Sequence, residues 1–344
     1  MESVLDYPRF REFNSTFCIK MSYRGMQQLR VAIIGVGSIG GVILGAMADT
    51  DVDLVCISRG STAASLSNLG LVLHTPEGSI EVVPSERYLL VDSQAGPLSE
   101  QIRGTCDIAI ICGKTLDTPA LAELASEVLT EDGYVLTIQN GLGNAEILAN
   151  RIGRERVFVG SLTHAAWRSN EGEVYWVGRG SINFGALNIQ ENFRAEPLLK
   201  ILNDADLNAI LSDDIQQIIW KKLLINVAIN PVCAIAGVRN GALLEVNSLW
   251  QQAMQAMREA AIVARASGVD LGDIKLENYL REVVTISPEN RCSMLQDIMA
   301  GRPTEIDALC GAVVLRGEAE GIPTPCNAIL HGLVKGIEKS SKFD

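Results

Sequence analysis

The stretch Leu29–Gly41, LRVAIIGVGSIGG, is a short apolar run that leads directly into a glycine-rich turn. The residues that follow, VILGAMADT, have the composition of a helix, so the segment predicts strand, turn and helix in succession. Gly35, Gly37 and Gly40 form GxGxxG at the turn. The first glycine permits the tight turn, the second lets the backbone approach a pyrophosphate, and the third lets helix and strand pack closely. The stretch therefore predicts a dinucleotide-binding βα unit, whose helix N-terminus favours an anion.

Further apolar runs follow this unit and alternate with helical segments. They are DVDLVCISRG (51–60), CDIAIIC (106–112), GYVLTIQNG (133–141) and RVFVGSLTHAA (156–166), and EGEVYWVGRGSINFG (171–185) resembles a hairpin. Continuous apolar strands between helices predict a parallel sheet covered on both faces. Beyond Asp213 the strand signals fade, and helices are predicted at 214–229, 241–267, 274–283, 288–299 and 304–320.

The predicted fold class is therefore α/β, with a Rossmann-type N-terminal domain and an all-helical C-terminal domain. A chain of 344 residues exceeds the size at which a single core usually stops growing. We predict an N-terminal extension at 1–28, an NADP-binding domain at 29–212 and a helical substrate domain at 213–344.

Composition limits the kinds of partner. With 29 Lys+Arg against 41 Asp+Glu, the net charge of −12 disfavours nucleic acid and acidic membrane surfaces. No apolar run approaches a membrane span, and the eight cysteines contain no CxxC pair, which favours reduced thiols in the cytoplasm. No His, Cys and carboxylate cluster has metal-ligand spacing, so no metal is expected. The apolar C-terminal helices allow a homodimer, but an interdomain core explains them equally well.

The end of the second strand indicates which dinucleotide binds. NAD enzymes usually place Asp or Glu there, whereas this chain has Ser58 and Arg59. A guanidinium suits the 2′-phosphate of NADP, and the alternative is an exposed arginine in a turn. Lys114 and Asn140 come just past two later strands, where a cofactor's ribose and nicotinamide would lie, although such residues are commonly surface lysines and turn asparagines. His164 follows another strand and is more simply structural than catalytic.

A polar stripe interrupts an otherwise apolar helix at WKKLLINVAINP, residues 220–231. Lys222, Asn226 and Asn230 recur every four residues and so lie on one face. Since buried polar groups need partners, the stripe predicts a buried network or the wall of a cleft. Downstream, Ser293 opens a short helix and Glu305 falls in the first turn of the next. Glu305 either complements the helix dipole or pairs with Lys222 and orients it.

These residues carry a resemblance to the ketopantoate reductases, the NADPH-dependent 2-dehydropantoate 2-reductase family. The match covers about 31–337, and its motifs are GxGxxG, NGLGN, THAA, WKKLLINVAINP, RNGAL and SMLQDIMAGRPTEID. The resemblance implies a Rossmann domain, a helical domain of the phosphogluconate dehydrogenase C-terminal type and an active site in the cleft between them. The departures are the N-terminal extension and a longer segment before Cys106, and neither touches a motif.

The resemblance also implies residue roles, with Lys222 as the catalytic lysine and Glu305 as its acidic partner. The implied cofactor positions are Gly35, Val36, Gly37, Ser38, Ile39, Gly40, Arg59, Lys114, Asn140, Ala166 and Glu305. The implied substrate positions are Asn140, Lys222, Asn226, Asn230, Asn240 and Ser293. The expected reaction is reduction of ketopantoate to pantoate with NADPH, in which protonated Lys222 stabilises the developing oxyanion and donates the proton. The alternatives are a reductase of another 2-oxo or imino acid with the same fold, and a non-catalytic NADP sensor.

Overall fold

The computed structural model describes residues 28–340, so residues 1–27 of the predicted N-terminal extension lie outside the described residues. The strands are β1 (Arg30–Ile34), β2 (Asp53–Ser58), β3 (Leu71–His74), β4 (Ile80–Val83), β5 (Tyr88–Asp92), β6 (Cys106–Ile111), β7 (Leu129–Thr137), β8 (Val157–Leu162), β9 (Ala165–Asn170), β10 (Glu173–Gly178), β11 (Ile182–Ala186) and β12 (Ala209–Leu211). Eight of them form the main sheet in the order β12-β11-β8-β7-β6-β1-β2-β5. Its neighbours are parallel except for β8 and β11, so the carboxyl ends of β1, β2, β6, β7 and β8 meet at one edge.

Both faces of this sheet are buried, as the continuous apolar strands predict. In β1, Val31 and Ile33 belong to one core cluster, whereas Ala32 and Ile34 belong to the cluster on the other face. Because successive strand side chains point to opposite faces, an apolar residue at every position requires a cover on each side. The α/β expectation for the first part of the chain is thereby confirmed.

The helices are α1 (Ser38–Met47), α2 (Gly60–Leu69), α3 (Thr118–Val128), α4 (Asn144–Ile152), α5 (Glu196–Asp204), α6 (Ile215–Ala236), α7 (Ala242–Glu245), α8 (Asn247–Ala266), α9 (Leu276–Ile286), α10 (Ser293–Met299), α11 (Ala312–Glu320) and α12 (Pro325–Ser340), and a π-helical turn spans Asp307–Gly311. Everything described after β12 is helical, as expected. The central helix of this part is α6, which packs on α8, α10 and α12.

Helix α6 corrects two expectations. It is 22 residues long with a mean hydropathy of 1.5, so one segment does have the length and composition of a membrane span. However, 61% of that window is buried inside the protein, which is also the pattern of a core helix. The helix continues through the buried Pro231 rather than ending at 229, because packing on α8 outweighs the lost backbone donor.

The predicted hairpin at 171–185 is wrong. Strand β10 pairs with β9 and β3 in a second sheet of order β4-β3-β10-β9, whereas β11 pairs with β8 and β12 in the main sheet. The predicted strand at 156–166 is likewise two strands, β8 and β9, in different sheets. The chain changes sheets at His164, whose ring bonds the Leu207 carbonyl oxygen and the Gly180 amide at 3.0 Å each.

Helix α12 was not predicted, and the single helix predicted at 241–267 is two helices, α7 and α8. Thr324 followed by Pro325 is a start signal for a helix, since proline is favoured at the first helical position. Between α7 and α8, Val246 has an extended backbone and ends the first helix. The predicted domain boundary near 212 falls between β12 and α6 and stays a prediction.

Candidate active site

The glycine turn between β1 and α1 has the shape that a pyrophosphate requires. Gly35 has φ +92°, and a Cβ there would lie 2.6 Å from the Gly113 nitrogen. A Cβ on Gly40 would lie 2.3 Å from the Gly35 carbonyl oxygen, so both positions exclude a side chain. A Cβ on Gly37, in contrast, would meet no atom within 4 Å. The turn is therefore packed tightly behind and open in front, which fits a dinucleotide phosphate at the N-terminus of α1; Val36, Ser38 and Ile39 fill the remaining positions of this turn.

Arg59 lies just past the carboxyl end of β2, where the sequence places the group that selects the dinucleotide. Its side chain is 60% exposed, and its guanidinium makes a two-point ion pair with the Asp117 carboxylate at 2.9 and 3.3 Å. Asp117 belongs to the loop after β6 and was not predicted as a site residue. The pair joins the two loops that flank the glycine turn.

Lys114 also lies where the sequence places it, past β6, but it is not a free surface lysine. Its Nζ is 2.6 Å from Asp297 Oδ2, and Arg302 Nε lies 3.1 Å from Asp297 Oδ1. The Asp297 side chain is only 5% exposed, so the two cations offset the cost of burying its charge. Asp297 was not predicted as a site residue, although it lies one helical turn after Ser293 in the same motif. This cluster connects the sheet domain to α10.

Asn140 is held against the helical domain by a close backbone approach. Its Nδ2 donates to Glu305 Oε2 at 3.0 Å, and the Leu142 amide donates to the Ala308 carbonyl oxygen at 3.0 Å. Gly141 has φ +85°, and a Cβ there would lie 2.4 Å from that same oxygen. Only glycine therefore allows the turn after β7 to contact the π-helical turn, which brings Asn140 and Glu305 together.

A polar network behind Asn140 fixes its backbone. Thr115 Oγ1 donates to the Asn140 carbonyl oxygen at 3.2 Å and contacts Glu305 Oε1 at 3.5 Å. The Asn144 side chain also donates to the Asn140 carbonyl at 3.1 Å and accepts from the buried Thr118 hydroxyl at 2.8 Å. These supporting residues lack a sequence signature, since each is an ordinary loop or helix-start residue.

The predicted contact between Lys222 on α6 and Glu305 is wrong. The Lys222 ammonium does not form an ion pair with Glu305; Nζ donates instead to the Leu162 carbonyl oxygen at 2.6 Å, at the end of β8. Burial lowers the pKa of Lys222 to about 8, while the negative charge of Glu305 opposes that shift. Glu305 thus acts on Lys222 through space rather than by contact. Its own backbone carbonyl accepts from the Ala308 and Leu309 amides, which places it at the helix start as predicted.

The polar stripe faces a cleft between α6 and the ends of β7 and β8. Asn140, Lys222 and Asn226 line this cleft. Asn230 lies one helical turn further and is buried, and Cys292 Sγ contacts its carbonyl oxygen at 3.5 Å. Within residues 28–340, the side chains of Asn226 and Asn230 have no hydrogen-bond partner. The unpaired Asn226 amide at the cleft is available to a ligand, whereas Asn230 is buried outside the cleft lining.

The two remaining predicted substrate residues, Ser293 and Asn240, do not line this cleft. Ser293 opens α10 and is exposed, directly after Cys292. Asn240 is buried, its amide nitrogen donates to the Asn290 carbonyl oxygen, and its Oδ1 has no partner among the described residues. An orphaned buried oxygen of this kind is costly and marks a place where a donor would be accommodated.

Two residues of the THAA motif lie elsewhere. His164 is buried, and burial lowers its pKa, although the hydrogen bond to the Leu207 carbonyl oxygen opposes that shift. Its ring accepts from the Gly180 amide and donates to the Leu207 carbonyl oxygen. This tautomer is set by the backbone, as expected of a structural histidine. Ala166 lies in β9, which packs on α1 beyond the glycine turn.

A dinucleotide turn, a cleft between two domains and a lysine that titrates near neutral pH together define a nicotinamide-dependent oxidoreductase of two-domain type. Residues 31–188 match the family described as Ketopantoate reductase PanE/ApbA, and residues 214–338 match the family's C-terminal domain. The chain belongs to the ketopantoate reductase family.

Relatives agree with this assignment over nearly the whole chain. The chain is 31% identical to the 2-dehydropantoate 2-reductase of Archaeoglobus fulgidus over 313 residues, which are 91% of this chain and 99% of the relative. It is 29% identical to that of Halobacterium salinarum over 307 residues, 89% of this chain and 98% of the relative.

Solved structures give the same result. The PanE/ApbA family ketopantoate reductase from Ralstonia eutropha JMP134 superposes with a TM-score of 0.81 at 29% identity, covering 91% of this chain and all of that one. A D-mandelate dehydrogenase bound to NADH and anilino(oxo)acetate superposes with a TM-score of 0.82 at 23% identity, over 91% of this chain and 100% of that one. At that identity the second likeness concerns the fold alone.

Proposed function

We propose that this chain is an NADP-dependent 2-dehydropantoate 2-reductase, which reduces ketopantoate to pantoate for pantothenate and coenzyme A biosynthesis. The names of its curated relatives support the substrate, and the family supports the cofactor. The observation that carries the proposal is Lys222, a partly buried lysine with a pKa of about 8 at the wall of an interdomain cleft.

When bound, NADPH supplies the hydride that is added to the C2 carbonyl carbon of the substrate. Lys222 stabilises the negative charge that develops on the carbonyl oxygen and then transfers a proton from Nζ to it. The Leu162 carbonyl oxygen accepts from this ammonium at 2.6 Å, which orients Nζ. Glu305 favours the protonated form of Lys222, and Asn140 and Thr115 hold its carboxylate in place.

The remaining stripe residues act on the substrate rather than on the reacting oxygen. Asn226 and Asn230 lie one helical turn apart on α6. Cys292, which precedes Ser293, contacts the Asn230 carbonyl oxygen, and the Asn240 backbone amide donates to the Asn290 carbonyl oxygen. We assign these four residues to the carboxylate and hydroxyl groups of the substrate, for which neutral donors are suited. For the cofactor, the glycine turn would hold the pyrophosphate, and Arg59 the 2′-phosphate. Lys114, Asn140, Ala166 and Glu305 stay predictions for its nicotinamide half.

Two other functions stay open to experiment. A reductase of another 2-oxo or imino acid would share the fold, the lysine and the cofactor, and differ in pocket shape. A non-catalytic NADP sensor would bind NADPH without turnover. The lowered pKa of Lys222 disfavours the sensor, because a desolvated lysine costs stability that binding alone does not require.

The test is the loss of NADPH absorbance with purified protein and ketopantoate, run beside NADH, pyruvate and 2-oxoisovalerate. Oxidation of NADPH with ketopantoate alone supports the proposal. Turnover of only another oxo acid transfers the chain to the first alternative, and binding without any turnover transfers it to the sensor.

We also propose a cytoplasmic location and a homodimer. The seven cysteines that the structure describes are all unpaired, which suits a reducing compartment. On the outer face of the helical domain, the exposed Ile329 and Leu333 line an apolar groove with Val232 and Leu249. Light scattering of the purified protein tests the dimer.

A further inference from the structure

The guanidinium of Arg59 is paired with a carboxylate. Nη1 and Nη2 contact Asp117 Oδ1 and Oδ2 at 3.3 and 2.9 Å, the fork-to-fork geometry that a phosphate would also use. A carboxylate and a 2′-phosphate therefore compete for the same donors. The pair is partly exposed, at 60% for Arg59 and 33% for Asp117, so a ligand can open it.

The Asp117 side chain contacts Arg59 rather than capping the helix that it precedes. It occupies the N-cap position of α3, where an aspartate normally accepts a hydrogen bond from the first turn, yet it makes no such bond. Its carboxylate instead pairs with Arg59, so the ion pair joins the loops that follow β2 and β6, the two strands that flank β1 in the sheet.

A second carboxylate adds to the negative charge around Arg59. Asp92 ends β5, beside Ser58 at the end of β2, and its Oδ1 accepts from the Gly60 amide at 3.3 Å and the Gln94 amide at 3.0 Å. Asp92 therefore lies beside the backbone that carries Arg59, whereas Asp117 is the carboxylate that contacts the guanidinium itself. A 2′-phosphate must compete with Asp117 for the guanidinium, whereas the 2′-hydroxyl of NADH carries no charge that would require it.

We propose that Asp117 is a specificity-determining residue that reduces the preference of this chain for NADPH over NADH. This inference rests on the proposed function, because it takes Arg59 as the 2′-phosphate ligand. Binding of NADPH requires Arg59 to leave Asp117, and binding of NADH does not. The carboxylate therefore weakens the binding of NADPH but not that of NADH. The expected effect on the Kd equals the free energy of an exposed ion pair, which corresponds to roughly fivefold at most.

The test is calorimetric titration of the full chain with NADPH and with NADH, without any 2-oxo acid. The variant is Asp117→Asn, and Glu123→Gln is the matched control. Glu123 lies on the same helix and pairs with Arg151 at 2.6 Å, so its substitution removes the same charge and a similar exposed ion pair. Arg59→Ala, alone and combined with Asp117→Asn, shows whether the effect passes through the guanidinium.

We expect Asp117→Asn to lower the Kd of NADPH by about threefold to fivefold and to leave the Kd of NADH within about twofold. Glu123→Gln leaves both values unchanged, and in the Arg59→Ala background Asp117→Asn leaves the ratio of the two unchanged. An equal gain for both cofactors, no gain for NADPH, or the same gain from Glu123→Gln overturns the inference. Wild-type protein that binds NADPH but does not reduce ketopantoate refutes the proposed function alone, and wild-type protein that does not bind NADPH refutes both.

Discussion

Replacing Glu305 with Gln should move the alkaline limb of the pH–rate profile, where the rate falls as pH rises, to lower pH. The pKa of Lys222 is about 8, so the reactive ammonium falls from about nine-tenths of the enzyme at pH 7 to about one-tenth at pH 9. The rate of the chemical step should fall about ninefold over that interval in the wild type. Glu305 raises this pKa, so removing its charge lets desolvation lower the pKa further.

The substitution is conservative in every other respect. A glutamine oxygen can still accept from Asn140 Nδ2, and the side-chain volume is unchanged. Single-turnover oxidation of bound NADPH, followed by stopped flow from pH 6 to 10, isolates the chemical step from product release. We expect a small loss of rate at pH 6.5, where Lys222 remains protonated, and a much larger one at pH 8.5.

Glu146→Gln is the matched control, because Glu146 lines the same cleft and pairs with Arg316 but does not act on the pKa of Lys222. An alkaline limb that stays at the wild-type pH in Glu305→Gln would refute the through-space role of the carboxylate. A shift of equal size in Glu146→Gln would show that general surface charge sets the limb.

Three further predictions concern the proton donor, the domain contact and acid stability. Lys222→Ala should lower kcat by about two to four orders of magnitude while calorimetry finds NADPH binding nearly intact, and an active variant would remove the mechanism. Gly141→Ala should lower the melting temperature by several degrees, because its Cβ would meet the Ala308 carbonyl oxygen at 2.4 Å, whereas Gly143→Ala, which shares a positive φ but meets no atom within 4 Å, should cost less. Because burial lowers the pKa of His164, the unfolded chain binds its proton first, so the stability that the neutral ring contributes is lost as pH falls below about 6.5. Melting temperatures from pH 7.5 to 5 should fall more steeply in the wild type than in His164→Asn.

The sequence predicts what repeats locally and misses what depends on distant contacts. The glycine turn and the stripe of α6 follow from spacing within a dozen residues, and both lie where predicted. The change of sheet at His164 depends instead on Leu207 and Gly180, which no local pattern announces.

The same distinction holds within the site. Lys114 and Asp297 are 183 positions apart in the chain, so their 2.6 Å contact cannot be read from either motif. Arg59 and Asp117 are separated by 58 positions, and the sequence identifies only the arginine as unusual. Pairing between charged residues requires the topology of the sheet to be known first.

The chemistry of the stripe explains why its members are neutral. A substrate carboxylate could be bound by arginine or lysine, but a second cation on the same face of α6 as Lys222, unlike the neighbouring Lys221 that bonds Gln217, would lower the pKa of Lys222 further. Since burial has already brought this pKa to about 8, another positive charge would leave the amine deprotonated at neutral pH and unable to donate. In the proposed mechanism, Asn226 and Asn230 would supply hydrogen bonds without that penalty. Asn226→Lys is therefore expected to damage the proton-donation step even if it strengthens binding of the substrate, and a single-turnover rate at pH 7.5 that is unchanged from the wild type would contradict this argument.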